Sequence, residues 1–348
     1  MIKRAFKHII IGAGVSGLTS AYQLLQQGET DFLVLEGRHR IGGRIFTEND
    51  IDLGATWFQG YHENLIRFMK ELNIQKFNQY SEGRNILVYN SMAPAHYFET
   101  DQTQSSAFRM AGGSNLLIKA LANSIKDKIV LDTTVSSIIE QPNHVKIVAG
   151  KQEFLSKNVI VTLPPKLAVQ LEYSPRLPKE LTEVMDKTHT WMSNAIKVCI
   201  SFNTPFWRAH DLSGTIIGQI GPVTELYDHT NSNQTVFSLM GFVNEGLRDV
   251  SHEDRKETIL LYLQKYLGNE IRNYIGYVEK DWSQDKFTNC QTIKSTYMLP
   301  QYGNQMFDAF YMNDKLLFSG TETSPVYGGY LEGAIYSGIR AAKYVVNS

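Results

Sequence analysis

The chain is apolar from His8 to Ile11, punctuated by glycine from Gly12 to Gly17, helical in pattern from Leu18 to Gln27 and apolar again from Phe32 to Leu35. Short unbroken apolar runs on both sides of a helix predict one βαβ unit whose parallel strands are buried on both faces. Gly28 stands where a helix C-cap belongs, and the second strand ends on Glu36. Leu65, Ile66, Phe68, Met69 and Leu72 share one face of a further helix. Between Lys76 and Arg109 the pattern weakens to short runs such as Ile86 to Tyr89 and a loop-like Asp101 to Ser106, which reads as an insertion rather than a new domain. Periodicity returns at Leu116, Leu117, Ala120, Leu121 and Ile125, a helix capped by Ser114. Three β-like segments follow, Val130 to Ile139, His144 to Val148 and Val159 to Leu163, and Pro164 and Pro165 end them.

The middle of the chain is mixed. A helix is expected from Pro178 to Asp186, strands around Ala195 to Phe202 and Thr235 to Phe242, and a helix opened by Ser251 with Asp254 three residues on. Behind that capping pair runs the stripe Leu260, Leu261, Leu263 and Leu267. After Trp282 a loop-rich stretch leads to a strand at Leu316 to Phe318, a turn at Gly320 and a closing helix from Leu331 to Val346.

Composition narrows the partners. Among 348 residues, 34 Lys and Arg stand against 35 Asp and Glu, a formal charge of -1, so no basic field exists to hold nucleic acid. Cys199 and Cys290 have no CxxC spacing and the nine histidines form no close pair, which leaves no metal site and no disulfide framework to expect. Met1 to His8 leads straight into a β-like run, and no stretch of about eighteen apolar residues occurs. The expectation is a soluble, cytoplasmic protein that makes no use of a membrane.

Gly12, Gly14 and Gly17 form G-x-G-x-x-G at the first strand-to-helix turn, and Glu36 ends the next strand, so the motif has the context of a dinucleotide site. The turn lets backbone approach a pyrophosphate, the helix N-terminus offers free N–H groups, and Glu36 accepts from a ribose hydroxyl. The continuation Glu36, Gly37, Arg38, His39, Arg40, Ile41, Gly42, Gly43, Arg44, then Asp52, Leu53, Gly54, Ala55, Thr56, Trp57, resembles the flavin monoamine oxidase family. So do Phe318 to Thr323 and Gly328 to Ala334 near the other end. The resemblance implies FAD as cofactor, with Arg38, Gly43, Arg44, Gly54, Thr56, Trp57, Val135, Gly320, Glu322, Gly329 and Leu331 among its contacts. Arg109 to Gly113 is similar to a further turn of the family.

Ala195 to Phe202 alternates, with Ile196, Val198, Ile200 and Phe202 on one face and Ala195, Lys197, Cys199 and Ser201 on the other. Pro205, Phe206, Trp207 and Arg208 match a run that follows this strand in the family, where a lysine matching Lys197 holds a water against flavin N5. Tyr330 matches one wall of the family's aromatic substrate cage, and Trp282 fixes the spacing to the second. At that spacing the flavin-linking cysteine position falls on Gln291 and the second aromatic on Thr292, with Cys290 one residue early. This implies non-covalent FAD and a cage that is half-open or completed by Phe287 or Tyr297. Lys197, Tyr330 and Trp282 are the expected catalytic residues.

The fold implied is α/β: a Rossmann-like, doubly wound FAD-binding domain from residues 1–75, 109–165 and 291–348, with a smaller mixed α+β substrate domain from 76–108 and 166–290. The implied activity is oxidation of a small amine by hydride transfer to flavin N5, giving imine, then aldehyde, with dioxygen reduced to hydrogen peroxide. Carboxylates in the pocket would select diamines or polyamines. Two alternatives stay open, a flavin-dependent desaturase or dehydrogenase using another acceptor and a non-catalytic flavin redox sensor. The sequence leaves the oligomeric state open.

Overall fold

Ile9, Ile10 and Ile11 are all buried, and successive side chains enter different cores: Ile10 joins one apolar cluster, Ile9 and Ile11 another. That is what a strand covered on both faces requires. In this computed structural model, which describes residues 5–101, 107–289 and 302–347, the strand Ala5–Ile11 lies inside a parallel set. Gln152–Val161 and then Leu316–Phe318 lie on one side of it, Phe32–Leu35 and then Ile129–Val130 on the other. On one face pack the first helix, Val15–Gln26, the helix Asn115–Asn123 and the closing helix, Leu331–Asn347. Gly28 follows the first helix at φ +80°, the left-handed turn that stops it.

The other face is covered by an antiparallel extension, Ser137–Glu140 and Val145–Ala149, and by the helix Lys179–Lys187, whose Leu181 and Met185 meet Ile9 and Ile11 in one core. Residues 166–187, expected from the sequence in the second domain, therefore belong to the first sheet, to which Glu172–Ser174 adds an edge strand beside Ser137–Glu140. The expected strand from Val130 to Ile139 is two strands on different parts of the sheet, with Asp132 at φ +52° in the turn between them. The strand expected at Val159 to Leu163 begins earlier, at Gln152.

A second sheet has seven strands in the order Gly276–Asp281, Ile196–Phe202, Phe237–Val243, Val223–Asp228, Leu212–Gly218, Arg84–Val88 and His96–Glu99. Its pairings are antiparallel except between Arg84–Val88 and Leu212–Gly218. The inserted stretch after Lys76 thus supplies its outer two strands. Ile196, Val198, Ile200 and Phe202 face the helix His252–Leu267, opened by Ser251 whose Oγ accepts from Asp254 N at 3.2 Å. The opposite face carries Cys199 and Met240 against Ile51, Leu53 and Trp57, and so abuts the first sheet's loops. Among the described residues no helix is long and apolar enough to cross a membrane.

The first and closing helices approach closely at Gly338, where a Cβ would stand 2.5 Å from Ser16 O and 2.8 Å from Thr19 Cβ. Gly338→Ala is expected to lower the unfolding free energy by about 1–3 kcal/mol, the usual cost of overpacking. Urea denaturation measures this, and an unchanged midpoint would show that the helices can part freely.

Candidate functional site

A cleft of about 610 Å3 opens beyond the C-terminal ends of the parallel strands, where Ile11, Leu35 and Thr162 form its floor. Gly12 and Gly14 line it from the first turn, Glu36 and Arg38 from the end of the second strand, and Gly43 and Arg44 from the glycine-rich loop. Val135 flanks the same end. Gly320, Gly329, Tyr330 and Leu331 line the cleft from the C-terminal segment, about three hundred residues away in sequence. Gly17 lies behind this surface: a Cβ there would fall 1.9 Å from Gly12 O, so its absence lets the helix seat on the turn.

The donors and acceptors suit a dinucleotide. Glu36 is almost wholly buried, and its carboxylate accepts from Ala13 N at 2.7 Å and Arg38 N at 2.9 Å, which aims the remaining lone pairs. Arg38 donates from Nη2 to Asp285 Oδ1 at 2.8 Å and Thr288 Oγ1 at 3.0 Å, while its buried Nε has no protein partner. The first-turn N–H groups of the helix Val15–Gln26 are open to phosphate by helix geometry. Phe287 lies over the Arg38 guanidinium at 5.1 Å and beside Gly37. It therefore stands at the nucleotide end and does not complete a cage around Tyr330. Gln291, Thr292, Cys290 and Tyr297 lie outside the described residues.

Arg44 and Glu322, both expected to touch the cofactor, are joined to each other. Arg44 makes a bidentate pair with the Glu322 carboxylate, its Nη2 donating to Oε2 at 3.1 Å, and Thr190 Oγ1 donates to the other oxygen. Burial would push Glu322 up, but the Arg44 charge and these hydrogen bonds outweigh it and hold the carboxyl below its ordinary range. Glu322 is fully buried and braces Arg44, which alone of the two lines the cleft.

Lys197, Trp282, Gly54, Thr56 and Trp57 also stand off the cleft surface, around one loop. Lys197, 1% exposed, donates from Nζ to Asp52 O at 2.9 Å, Gly54 O at 2.8 Å and Thr56 Oγ1 at 2.9 Å. Those three contacts match the three protons of an ammonium. The Trp57 and Phe242 rings lie 4.9 Å and 5.4 Å from the same nitrogen. Trp282 is fully buried and donates from Nε1 to Leu53 O at 2.8 Å. The carbonyls of Asp52, Leu53 and Gly54 are thus all held by side chains of the second sheet and the turn after it, and the next residue, Ala55, lines the cleft. In this geometry Trp282 and Lys197 set the position of a loop rather than facing the cavity.

Sequence reasoning missed the support around this loop. Asp52 is 1% exposed, and its carboxylate accepts from Thr47 Oγ1 at 2.5 Å and from Ser114 N at 2.9 Å and Oγ at 3.3 Å. Ser114, expected to cap its helix, makes no side-chain cap and serves Asp52 instead. His229 accepts from Asp52 N at 3.1 Å, and burial pushes its imidazole well below the ordinary value, so it is neutral. An acidic residue flanked by Ile51 and Leu53 was the signal available for Asp52. No pattern marked His229.

The family model for flavin containing amine oxidoreductases matches residues 15–92 and 82–346. The chain belongs to that family. It is 24% identical to the probable flavin-containing monoamine oxidase A of Dictyostelium discoideum, over 97% of this chain and 96% of that one. With the flavin-containing amine oxidase A of Equus caballus it shares 24%, over 100% of this chain and 86% of that one. Cyclohexylamine oxidase from Brevibacterium oxydans has the same fold, with a TM-score of 0.87 at 20% identity over 99% of both chains. So has putrescine oxidase bound to putrescine, with a TM-score of 0.86 at 21% identity over 99% of this chain and 100% of that one. The amine oxidoreductase is an FAD-dependent enzyme, and the cleft, with its glycine turn, Glu36 and Arg38, fits that cofactor.

Burial pushes the Lys197 ammonium of this amine oxidoreductase from 10.5 down to about 7, against the opposing pull of Asp52. An unfolded lysine keeps its proton to about 10.4, so between those values the unfolded chain binds the extra proton. Stability should therefore rise with pH from about 7 to about 10, a contribution that is flat below that window. Lys197→Met should lose this rise when urea midpoints at about pH 7 and about pH 9 are compared; a slope retained in the variant would assign it to another group. Trp282→Phe leaves Leu53 O buried without its donor. It is expected to cost about 1–3 kcal/mol and to weaken FAD retention in equilibrium dialysis, whereas unchanged retention would separate the loop from the cofactor.

Proposed function

We propose that the protein oxidises small amines at the α-carbon, with dioxygen as electron acceptor, FAD held non-covalently, and the amine presented at the Tyr330 end of the cleft. The observation that carries this reading is the continuity of one cavity from Glu36 to Tyr330, so that a dinucleotide held at the first turn ends beside an exposed aromatic ring. FAD, when bound, would supply the two-electron acceptor: a hydride from the amine's α-carbon and the N–H proton lost to solvent would leave an imine, and dioxygen would take up the two electrons and two protons as hydrogen peroxide.

The chain's own part is binding and placement. The Gly12 to Gly17 turn and Arg38 hold the nucleotide half, and Glu36 fixes its ribose. Lys197 and Trp282 set the 52–56 loop against the flavin half, and Tyr330 orients the amine. The parallel sheet with residues 166–187 forms the cofactor domain, and the seven-stranded sheet forms the substrate domain. Gln291 at the family's linking position supports a free flavin.

Anaerobic mixing of the purified yellow protein with mono-, di- and polyamines tests the reading. Bleaching of the flavin by an amine, with peroxide on admitting air, is the expected result. No bleaching by any amine would favour a desaturase or sensor. Acid precipitation should release the flavin into the supernatant, and yellow colour retained in the pellet would overturn non-covalent binding.

A further inference from the structure

Arg109 lies in the short strand Phe108–Met110, which pairs antiparallel with Lys76–Asn78 and places Phe77 directly opposite it. The residue is 3% exposed, yet its guanidinium meets no carboxylate. Among the described residues its hydrogen bonds go to backbone carbonyls, from Nη1 to Thr230 O at 2.8 Å and from Nη2 to His229 O at 3.3 Å. Its Nε is buried with no partner, and the Phe77 ring lies 5.0 Å from the guanidinium carbon. A carbonyl satisfies an N–H but supplies no opposite charge, so this cation is held by dipoles alone.

The acids whose charge reaches it, Asp52 and Asp228, are bonded elsewhere. Asp228 Oδ2 accepts from Arg208 Nε and Trp207 Nε1, each at 2.9 Å, and lies 2.8 Å from Arg208 Nη2, while its Oδ1 accepts from Thr230 N at 2.8 Å. That carboxylate is balanced by Arg208. Asp52 gives its oxygens to Thr47 and Ser114 and feels both Arg109 and Lys197, and burial pushes its carboxyl above the ordinary range. His229, which accepts from Asp52 N, is neutral, and burial pushes the Cys199 thiol up to about 12. Behind the 52–56 loop two buried cations, Arg109 and Lys197, therefore share one carboxylate. Of the two, Lys197 loses its proton near neutral pH, with a pKa of about 7, whereas a guanidinium keeps its own.

We propose that Arg109 acts on the bound flavin as a fixed positive charge that raises its affinity for electrons. This rests on the FAD cleft and on the 52–56 loop standing at its flavin half, where Ala55 lines the cavity and Arg109 does not. A hydride brings two electrons and one proton, so the ring that it reduces gains one negative charge. A buried cation with no bonded counter-ion favours that state over the neutral oxidised one. The carbonyls of His229 and Thr230 hold it in place, so nothing has to reorganise as the charge develops.

The test is the midpoint potential of the FAD-loaded protein, measured anaerobically near neutral pH by slow reduction with dithionite against a reference dye. No amine is present, so the outcome is independent of whether the protein oxidises amines. Arg109→Gln removes the charge and keeps N–H donors, and the reduced-to-oxidised ratio at a fixed potential is expected to fall at least about threefold. Arg109→Lys restores the charge without the fork of donors and should stay within about twofold of the parent. Phe77→Glu leaves Arg109 in place, gives it a carboxylate across the strand pair and should lower the ratio in the same direction. That variant decides the matter if the Arg109 variants do not retain FAD. An unchanged ratio in Arg109→Gln or Phe77→Glu would overturn the proposal and leave the amine-oxidase reading intact. An equal fall in the Gln and Lys variants would overturn it as well, by assigning the effect to the carbonyl bonds. A purified protein that carries no flavin would remove the cofactor reading with it.

Discussion

Three consecutive backbone carbonyls, at Asp52, Leu53 and Gly54, point into a region that water does not reach, and each must find a donor there. Donors reach them from the neighbouring sheet and the turn after it, Lys197 to two of them and Trp282 to the third, with Thr56 Oγ1 of the loop itself beside Lys197. A buried carbonyl without a partner is costly, so the two sheets are keyed to each other at this loop more strictly than apolar contact alone would demand. The loop's next residue faces the cofactor cleft. The position of the cleft wall is therefore dictated by hydrogen bonds that originate in the other sheet.

Much of the fold was legible because its signals are local. The apolar runs at Ile9 to Ile11 and Phe32 to Leu35, the glycine turn between them and Gly28 after the helix specify a buried βαβ unit by periodicity and backbone freedom alone. Ser251 caps its helix with both partners local, its Oγ accepting from Asp254 N and donating to Asp254 Oδ2. Ser114 carries the same local signal and behaves differently, since the buried Asp52 carboxylate needs its N–H and O–H more than the helix end does. Likewise 166–187 shows no pattern that says which sheet it will join; the choice is made by Leu181 and Met185 filling the space over Ile9 and Ile11.

At the site, the motif residues fall together around one cleft, while partners distant in sequence stayed hidden. The alternation around Lys197 correctly placed it opposite Ile196 and Val198, yet no spacing rule states that its protons go to a loop about 145 residues earlier. Trp191 lines the cleft beside Gly329, and a single indole before a strand has no periodic signature to mark it. Phe287 shows the reverse error, an aromatic ring close in sequence to the expected cage but drawn to the Arg38 guanidinium.

Glu332 has a consequence of another kind. It sits in the first turn of the closing helix, yet its oxygens satisfy the first turn of the helix Glu63–Glu71, so one negative charge serves two helix beginnings at once. His62 immediately precedes one of those helices and Tyr330 the other, and their rings touch. The two helix starts are thereby tied together, by the Glu332 carboxylate on Asn64 and Leu65 and by the ring contact beside it. Tyr330, on the cleft wall, is thus backed by a helix that lines no part of the cleft.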